Sequence, residues 1–257
     1  MAAPRLGLVL SAGGLRGAAH LGVLRQLFAH GIRPEVMVGV SAGAVISAFH
    51  AAVGLPVDEL IAEARGFRGR HLLAHGLRLR MPEFLQTRLA PYCGIIPHRL
   101  EQLDQARFDR LSFGVRGLGI VCHDTLSGRP IYFCSGSADD APLSPVVRAS
   151  ASIPWIMPAR RLRWQERDFR LVDGGVSDSL PVDFARRDPL GATHLIVSDC
   201  RSDPQAIPVG PNVVYLRPEL KGTRSLSSPR ESLAQAVTEG EATVTPEVLA
   251  TVRAWLR

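Results

Sequence analysis

Two residues in this chain have the types and settings needed for acyl transfer: Ser41, in Gly39-Val40-Ser41-Ala42-Gly43, and Asp173, in Asp173-Gly174-Gly175. The apolar run Val36 to Val40 stops at the serine, and Ala42, Ala44, Val45, Ile46, Ala48 and Phe49 continue as a helix-like segment. Strand, sharp turn and helix around G-x-S-x-G are the ingredients of a nucleophile elbow, which exposes the serine hydroxyl at the end of a sheet strand. The flanking glycines suit a turn so tight that a Cβ would clash. A serine there also opens a helix, whose dipole and free N–H groups favour negative charge on a substrate oxygen. Glycine and serine are common in ordinary strand-to-helix turns, so the pattern takes its meaning from the rest of the chain.

A serine needs a base to attack an ester carbonyl. Asp173 ends the apolar run Phe169 to Val172 and precedes two glycines, which places a carboxylate at a sheet edge where another loop can come close. It can take the serine proton if it lies within hydrogen-bond reach. A carboxylate of ordinary pKa, about 4, is a weak base at neutral pH, so oxyanion stabilisation should carry much of the catalysis. That stabilisation is expected from Gly13-Gly14-Leu15-Arg16-Gly17, where successive backbone N–H groups can form a nest for negative charge. Dinucleotide binding is the weaker reading of this loop: Ala12 occupies the first glycine position, and Glu35 precedes the second strand instead of ending it.

Elements that would hold these residues follow from periodicity. Arg5 to Leu10 reads as a buried strand and Ala18 to His30 as a helix with Leu21, Leu24, Leu27 and Phe28 on one face, ended by Gly31. Further helices are predicted at Pro56 to Ala64, Pro82 to Leu89, Pro97 to Leu103, Pro142 to Ala151, Arg230 to Thr238 and Pro246 to Leu256. Phe113 to Cys122, a turn at His123 to Arg129 and Ile131 to Cys134 suggest a hairpin. A turn near Glu166 to Asp168 leads into Phe169 to Val172. Thr193 to Ser198 and Asn212 to Leu216 read as the last strands, and Pro218 to Pro229 as a polar loop. Alternating strands and helices predict an α/β fold, and 257 residues without internal repeats predict one domain, with its core over about 6–216 and a C-terminal helical segment over about 230–257.

The net charge of +6 rests almost wholly on arginine. Between Arg65 and Arg80 lie five arginines and no acid, interleaved with Phe67, Leu72, Leu73, Leu77 and Leu79; this stretch suits either an anionic lipid surface or the solvated face of a cap. Cys93, Cys122, Cys134 and Cys200 have neither metal-ligand nor disulfide-framework spacing and are read as reduced. No metal, cofactor or nucleic-acid partner is predicted. The first strand begins too early for a leader, and no run approaches the roughly 18 apolar residues of a membrane span, so the expected location is cytoplasmic with peripheral membrane contact at most.

The glycine loop, the elbow and the D-G-G motif, in this order and with Ala149-Ser150-Ala151-Ser152-Ile153-Pro154 before the last, resemble the patatin-like phospholipase family of serine acyl hydrolases over about Leu6 to Leu216. The resemblance implies a three-layer α/β/α sandwich with a mostly parallel central sheet, and hydrolysis of lipid or phospholipid acyl esters. It implies a dyad of Ser41 as nucleophile and Asp173 as proton acceptor, with Gly13, Gly14, Leu15, Arg16 and Gly17 as the oxyanion hole. The chain departs from the family at Ala12, which replaces a glycine, and at Asp178 and Ser179, where asparagines are usual; a nearby Asp178 is expected to raise the pKa of Asp173 by like-charge repulsion. Two alternatives remain: a Ser-His-Asp esterase using His194, the only histidine after Asp173, and a non-catalytic protein that binds acyl lipids or a partner. A carboxylate base predicts activity persisting below the histidine range, whereas an acid limb near pH 6.5 would indicate a histidine.

Overall fold

The computed structural model describes residues 3–136, 141–203, 207–226 and 230–257; residues 227–229 of the predicted Pro218 to Pro229 loop lie outside them. The chain runs β1 (Leu6–Leu10), α1 (Ala18–Ala29), β2 (Val36–Val40), α2 (Ala42–Ala48), then α3 (Val57–Gly66), α4 (Gly69–Arg80), α5 (Glu83–Leu89) and α6 (Ile96–Gln105). It continues through β3 (Gly117–Asp124), β4 (Arg129–Cys134), α7 (Leu143–Ser150), β5 (Arg160–Trp164), β6 (Arg167–Asp173), α8 (Val182–Arg186), β7 (His194–Ser198), β8 (Val213–Leu216), α9 (Arg230–Ala242) and α10 (Pro246–Trp255).

The strands form one sheet in the order β5-β6-β3-β2-β1-β7-β8, with β4 also on β3. From β3 to β8 along this path every pairing is parallel; β4, β5 and β6 add the antiparallel pairs. Alternation along each strand sorts the core into two faces. Leu6, Leu8, Leu10 and Met37 join the larger core under α1, α2, α7 and the C-terminal helices, while Val9, Val36, Val38 and Val40 pack with Phe184, Leu190 and Leu195 on the other face. Helices flank a mostly parallel sheet, the predicted α/β architecture.

Two boundaries move for local reasons. The predicted strand Phe113 to Cys122 starts only at Gly117, because Phe113 and Gly114 have positive φ (56° and 81°) and the Phe113 ring stacks on His50. It extends to Asp124, whose carboxylate accepts from the N–H groups of Leu126, Ser127 and Arg170 and so closes the turn two residues later than expected. The turn before β6 falls on Gln165 and Glu166, both with positive φ, as in a tight hairpin.

The basic stretch forms the end of α3 and all of α4. Leu72 and His75 of α4 look into a cavity while Arg70, Leu73, Leu77 and Arg80 face outward, so this helix is part of a cap. None of the four cysteines forms a disulfide; Cys134 is half-buried and the others are buried. Among the described residues no helix is long and apolar enough to cross a membrane.

Candidate active site

One edge of β3 serves two strands. Val40 of β2 pairs with Val121, and the next residue, Cys122, pairs with Asp173 of β6. β4 takes the opposite edge. Because β2 runs parallel to β3 and β6 antiparallel, their C-terminal ends meet head on, and Ser41, directly after Val40, arrives beside Asp173. Ser41 Oγ donates a hydrogen bond of 2.6 Å to Asp173 Oδ2. Both side chains are buried, at 5% and 6% exposure.

The serine sits in a conformation that L-residues avoid, φ 55° and ψ −118°, as a strained elbow requires. A Cβ at Gly39 would lie 2.3 Å from the Gly43 carbonyl oxygen, and one at Gly43 would lie 2.3 Å from that of Leu10. Val40 is the last strand residue before the turn and Ala42 the first of α2. Gly174 and Gly175 form a short helical turn after Asp173, and Gly175 N–H donates to Asp173 Oδ1 at 2.8 Å.

Sequence reasoning missed what the Ser150–Ser152 segment does. Ser150 Oγ accepts from Ser41 N–H at 3.0 Å and donates to the Val121 carbonyl at 2.6 Å, and Asp173 N–H donates to the Ser152 carbonyl at 3.0 Å. One turn at the end of α7 therefore holds both Ser41 and Asp173. These small hydroxyls follow no periodicity, so nothing local in the sequence marks their partners.

The glycine loop forms a 3-10 turn, Gly14–Gly17, and Gly14, Leu15 and Gly17 line the same cavity as Ser41. Leu15 N–H donates to the Ser225 carbonyl (2.9 Å) and Arg16 N–H to that of Gly13 (3.1 Å). These two donors are thus engaged within the protein, in contrast to the expected place of Leu15 and Arg16 in the oxyanion hole. Arg16 also turns away: its guanidinium donates to the carbonyls of Cys200, Leu220, Thr223 and Arg201, stapling the loop to the segments that follow β7 and β8. Buried His20 completes the staple, bonding the Ser11 carbonyl through Nε2 and Ser198 Oγ through Nδ1, with its pKa lowered by burial to about 4.

Burial raises the pKa of Asp173 to about 6, against the lowering effect of the bonds from Ser41 and Gly175. Asp178 is not the cause, contrary to expectation; its carboxylate accepts from the Tyr132 hydroxyl at 3.0 Å. This corrects a second expectation as well: a carboxylate base shifted to about 6 overlaps the histidine range, so an acid limb there no longer tells the two apart.

His194 is at the wrong end of the sheet for a triad. It pairs with Leu6 at the start of β1, whereas Gly39 pairs with Leu10 at its end. At about 3.3 Å per strand residue, that puts His194 more than about 13 Å from Ser41 along the strands. Its ring packs on Trp255 and bonds Thr193 Oγ1.

The cavity beside Ser41 has a volume of about 280 Å³ and is walled mostly by apolar groups, among them Leu21, Val45, Phe49, Phe67 and Leu103, from α1, α2 and the cap. Such a space accepts an alkyl chain.

A buried serine on a strained strand-to-helix turn, opening onto an apolar cavity, has the geometry of a nucleophile elbow. The family model described as "Patatin-like phospholipase" matches residues 8–186, and the chain belongs to that family. Relatives include two uncharacterised NTE family proteins of Mycobacterium tuberculosis, one 31% identical over 180 residues (70% of this chain, 45% of the relative) and one 33% identical over 189 residues (72% and 29%). This chain spans less than half the length of either. Among solved structures, VipD from Legionella pneumophila aligns with a TM-score of 0.59 and 14% identity over 97% of this chain and 67% of its own, a likeness of fold.

Proposed function

We propose that this chain hydrolyses lipid acyl esters through a Ser41–Asp173 dyad. The hydrogen bond of 2.6 Å between Ser41 Oγ and Asp173 Oδ2, at an apolar cavity, is the observation that carries the reading. With an ester carbonyl over Ser41, Asp173 takes the hydroxyl proton as Oγ attacks, giving a tetrahedral oxyanion. The N–H groups of Gly13 and Gly14, and that of Ala42 following the nucleophile, are the donors we assign to that oxyanion. Collapse expels the alcohol, which receives the proton from Asp173, and leaves an acyl-enzyme whose chain lies in the cavity. Water, deprotonated by Asp173, then releases the acid and regenerates Ser41. A pKa of about 6 makes Asp173 a better base than an exposed aspartate while leaving it ionised at neutral pH.

The outer face of the cap suits an interfacial role. Leu73, Leu77, Phe84 and Tyr92 are exposed there, and Trp155, at 92% exposure, hangs beside Arg80, which donates to its carbonyl. Apolar side chains among arginines favour contact with an anionic lipid surface, where the substrate resides.

The test is labelling by a fluorophosphonate together with turnover of a chromogenic octanoyl ester. Wild type should react at Ser41 and turn over, while folded Ser41→Ala and Asp173→Asn proteins should lose turnover by about 10³-fold or more. A folded wild type inert to both reagents would favour a non-catalytic lipid-binding role.

A further inference from the structure

The helical walls of the cavity beside Ser41 contribute residues at spacings of three and four. From α2 come Ala42, Val45 and Ile46, with Phe49 directly after it, so the cavity runs along the helix that Ser41 opens. Leu60 and Ala64 of α3, with Phe67 just beyond it, form a second wall, and Ile96, Leu100 and Leu103 of α6 a third.

Exposure falls in one direction along all three. On α2 it passes from half-buried Ala42, Val45 and Ile46 to buried Phe49; on α3 from half-buried Phe67 and Ala64 to buried Leu60; on α6 from half-buried Ile96 and Leu100 to buried Leu103. Ile95, which precedes α6 and also lines the cavity, is 38% exposed and marks the mouth. Among the described residues the space is therefore a tunnel with a closed end. Phe49 and Leu60, 7% and 9% exposed, make its floor, and Leu103 stands behind them. The regular helix stops at the same level, where α2 passes into a π-helical turn, Phe49–Val53.

The depth of this tunnel can be worked from helix geometry. From Ala42 to Phe49 the helix rises about 10 Å, at about 1.5 Å per residue. An extended alkyl chain, with C–C bonds of about 1.52 Å at about 111°, advances about 1.25 Å per bond, so the tunnel takes an acyl chain of about eight carbons. Its volume of about 280 Å³ suits one such chain, being just below that of sites for drug-sized ligands.

We propose that Phe49, with Leu60, is the stop that sets acyl-chain length, so that this protein selects esters of medium-chain acids, of about eight carbons, over long-chain ones. This inference rests on the hydrolase reading of the same cavity and names the acyl group it takes. It concerns only how the chain is bound, with no bond made or broken at Phe49.

The test is kcat/KM for 4-nitrophenyl esters from butanoyl to hexadecanoyl, each below the concentration at which it self-associates. In wild type it should rise by about fourfold for each methylene the tunnel takes up, peak near octanoyl and then fall. The Phe49 ring reaches about 4 Å beyond its Cβ, the length of about three further bonds, so Phe49→Ala should move the peak to decanoyl or dodecanoyl. Phe49→Leu, which keeps more of the buried volume, should fold where Phe49→Ala does not and move the peak to decanoyl. Val45→Phe, halfway along the tunnel, should pull it back toward hexanoyl. A wild-type peak at tetradecanoyl or longer, or one that stays at octanoyl in a folded Phe49 variant, overturns the proposal. Calorimetric binding of hexanoic to dodecanoic acids to Ser41→Ala protein, with and without Phe49→Leu, separates the tunnel from the chemistry. A preferred length that shifts with Phe49→Leu, in a protein whose wild type hydrolyses none of the esters, upholds the stop and defeats the hydrolase reading. The same length dependence with and without Phe49→Leu defeats the stop whatever the turnover.

Discussion

Replacing Asp173 by asparagine should stabilise the protein at neutral pH while removing its activity. Asp173 is buried, and its pKa is raised to about 6 from an ordinary value of 3.8. The folded state therefore holds its proton more tightly than the unfolded chain does, and the aspartate's contribution to stability is fully present below pH 3.8 and lost as pH rises through about 6. The shift of about 2 units corresponds to about 3 kcal/mol of destabilisation at pH 8, of which about 1 kcal/mol is already present at pH 4.5. An asparagine keeps the shape and cannot ionise. Urea unfolding of wild type and Asp173→Asn across this range should thus show the variant gaining about 2 kcal/mol relative to wild type between pH 4.5 and pH 8. Only the difference isolates the group, because buried His20, lowered to about 4, acts with the opposite sign: its contribution is present above pH 6.5 and lost as pH falls toward 4. A difference that stays level across the range, or that shrinks as pH rises, would refute the burial argument and with it the claim that Asp173 is tuned as a base.

Other perturbations have equally direct outcomes. Ser150→Ala leaves Ser41 N–H and the Val121 carbonyl unpaired behind the elbow; kcat should fall by about 10- to 100-fold with little change in KM, read in steady-state assays of the octanoyl ester. Gly39→Ala drives a Cβ to 2.3 Å from the Gly43 carbonyl oxygen, and calorimetry should show a loss of at least about 2 kcal/mol or failure to fold. Trp155→Ser combined with Leu77→Ser should reduce co-sedimentation with vesicles containing anionic lipid without altering turnover of a soluble ester; unchanged sedimentation would argue against the exposed cap face as the lipid contact.

Much of the framework is legible in the sequence because it is written in short-range patterns. The apolar runs at Leu6 to Leu10 and Val36 to Val40 lead to glycine-rich turns, and the helix stop at Gly31 has its positive φ of 74°. What escapes is what depends on long-range register. Nothing local distinguishes the Arg16 side chain that staples a loop from one that faces a substrate, since its four carbonyl partners lie more than 180 residues away. Asp178 looked close to Asp173 in the chain, yet its carboxylate is bonded to Tyr132, and desolvation by the surrounding core sets the base instead.

Ser41 and Asp173 are 132 residues apart in sequence, yet adjacent rungs of β3 set their alignment. The intervening chain is therefore not a ruler. Residues from the end of α2 to the start of β3 build the cap and much of the cavity wall without bridging the reacting pair, so they can lengthen, shorten or be exchanged while the two strand ends still meet. On the proposed hydrolase reading, such a fold keeps its reaction in the sheet and its choice of substrate in an interchangeable segment, a division of labour open to grafting one cap onto another protein's strands.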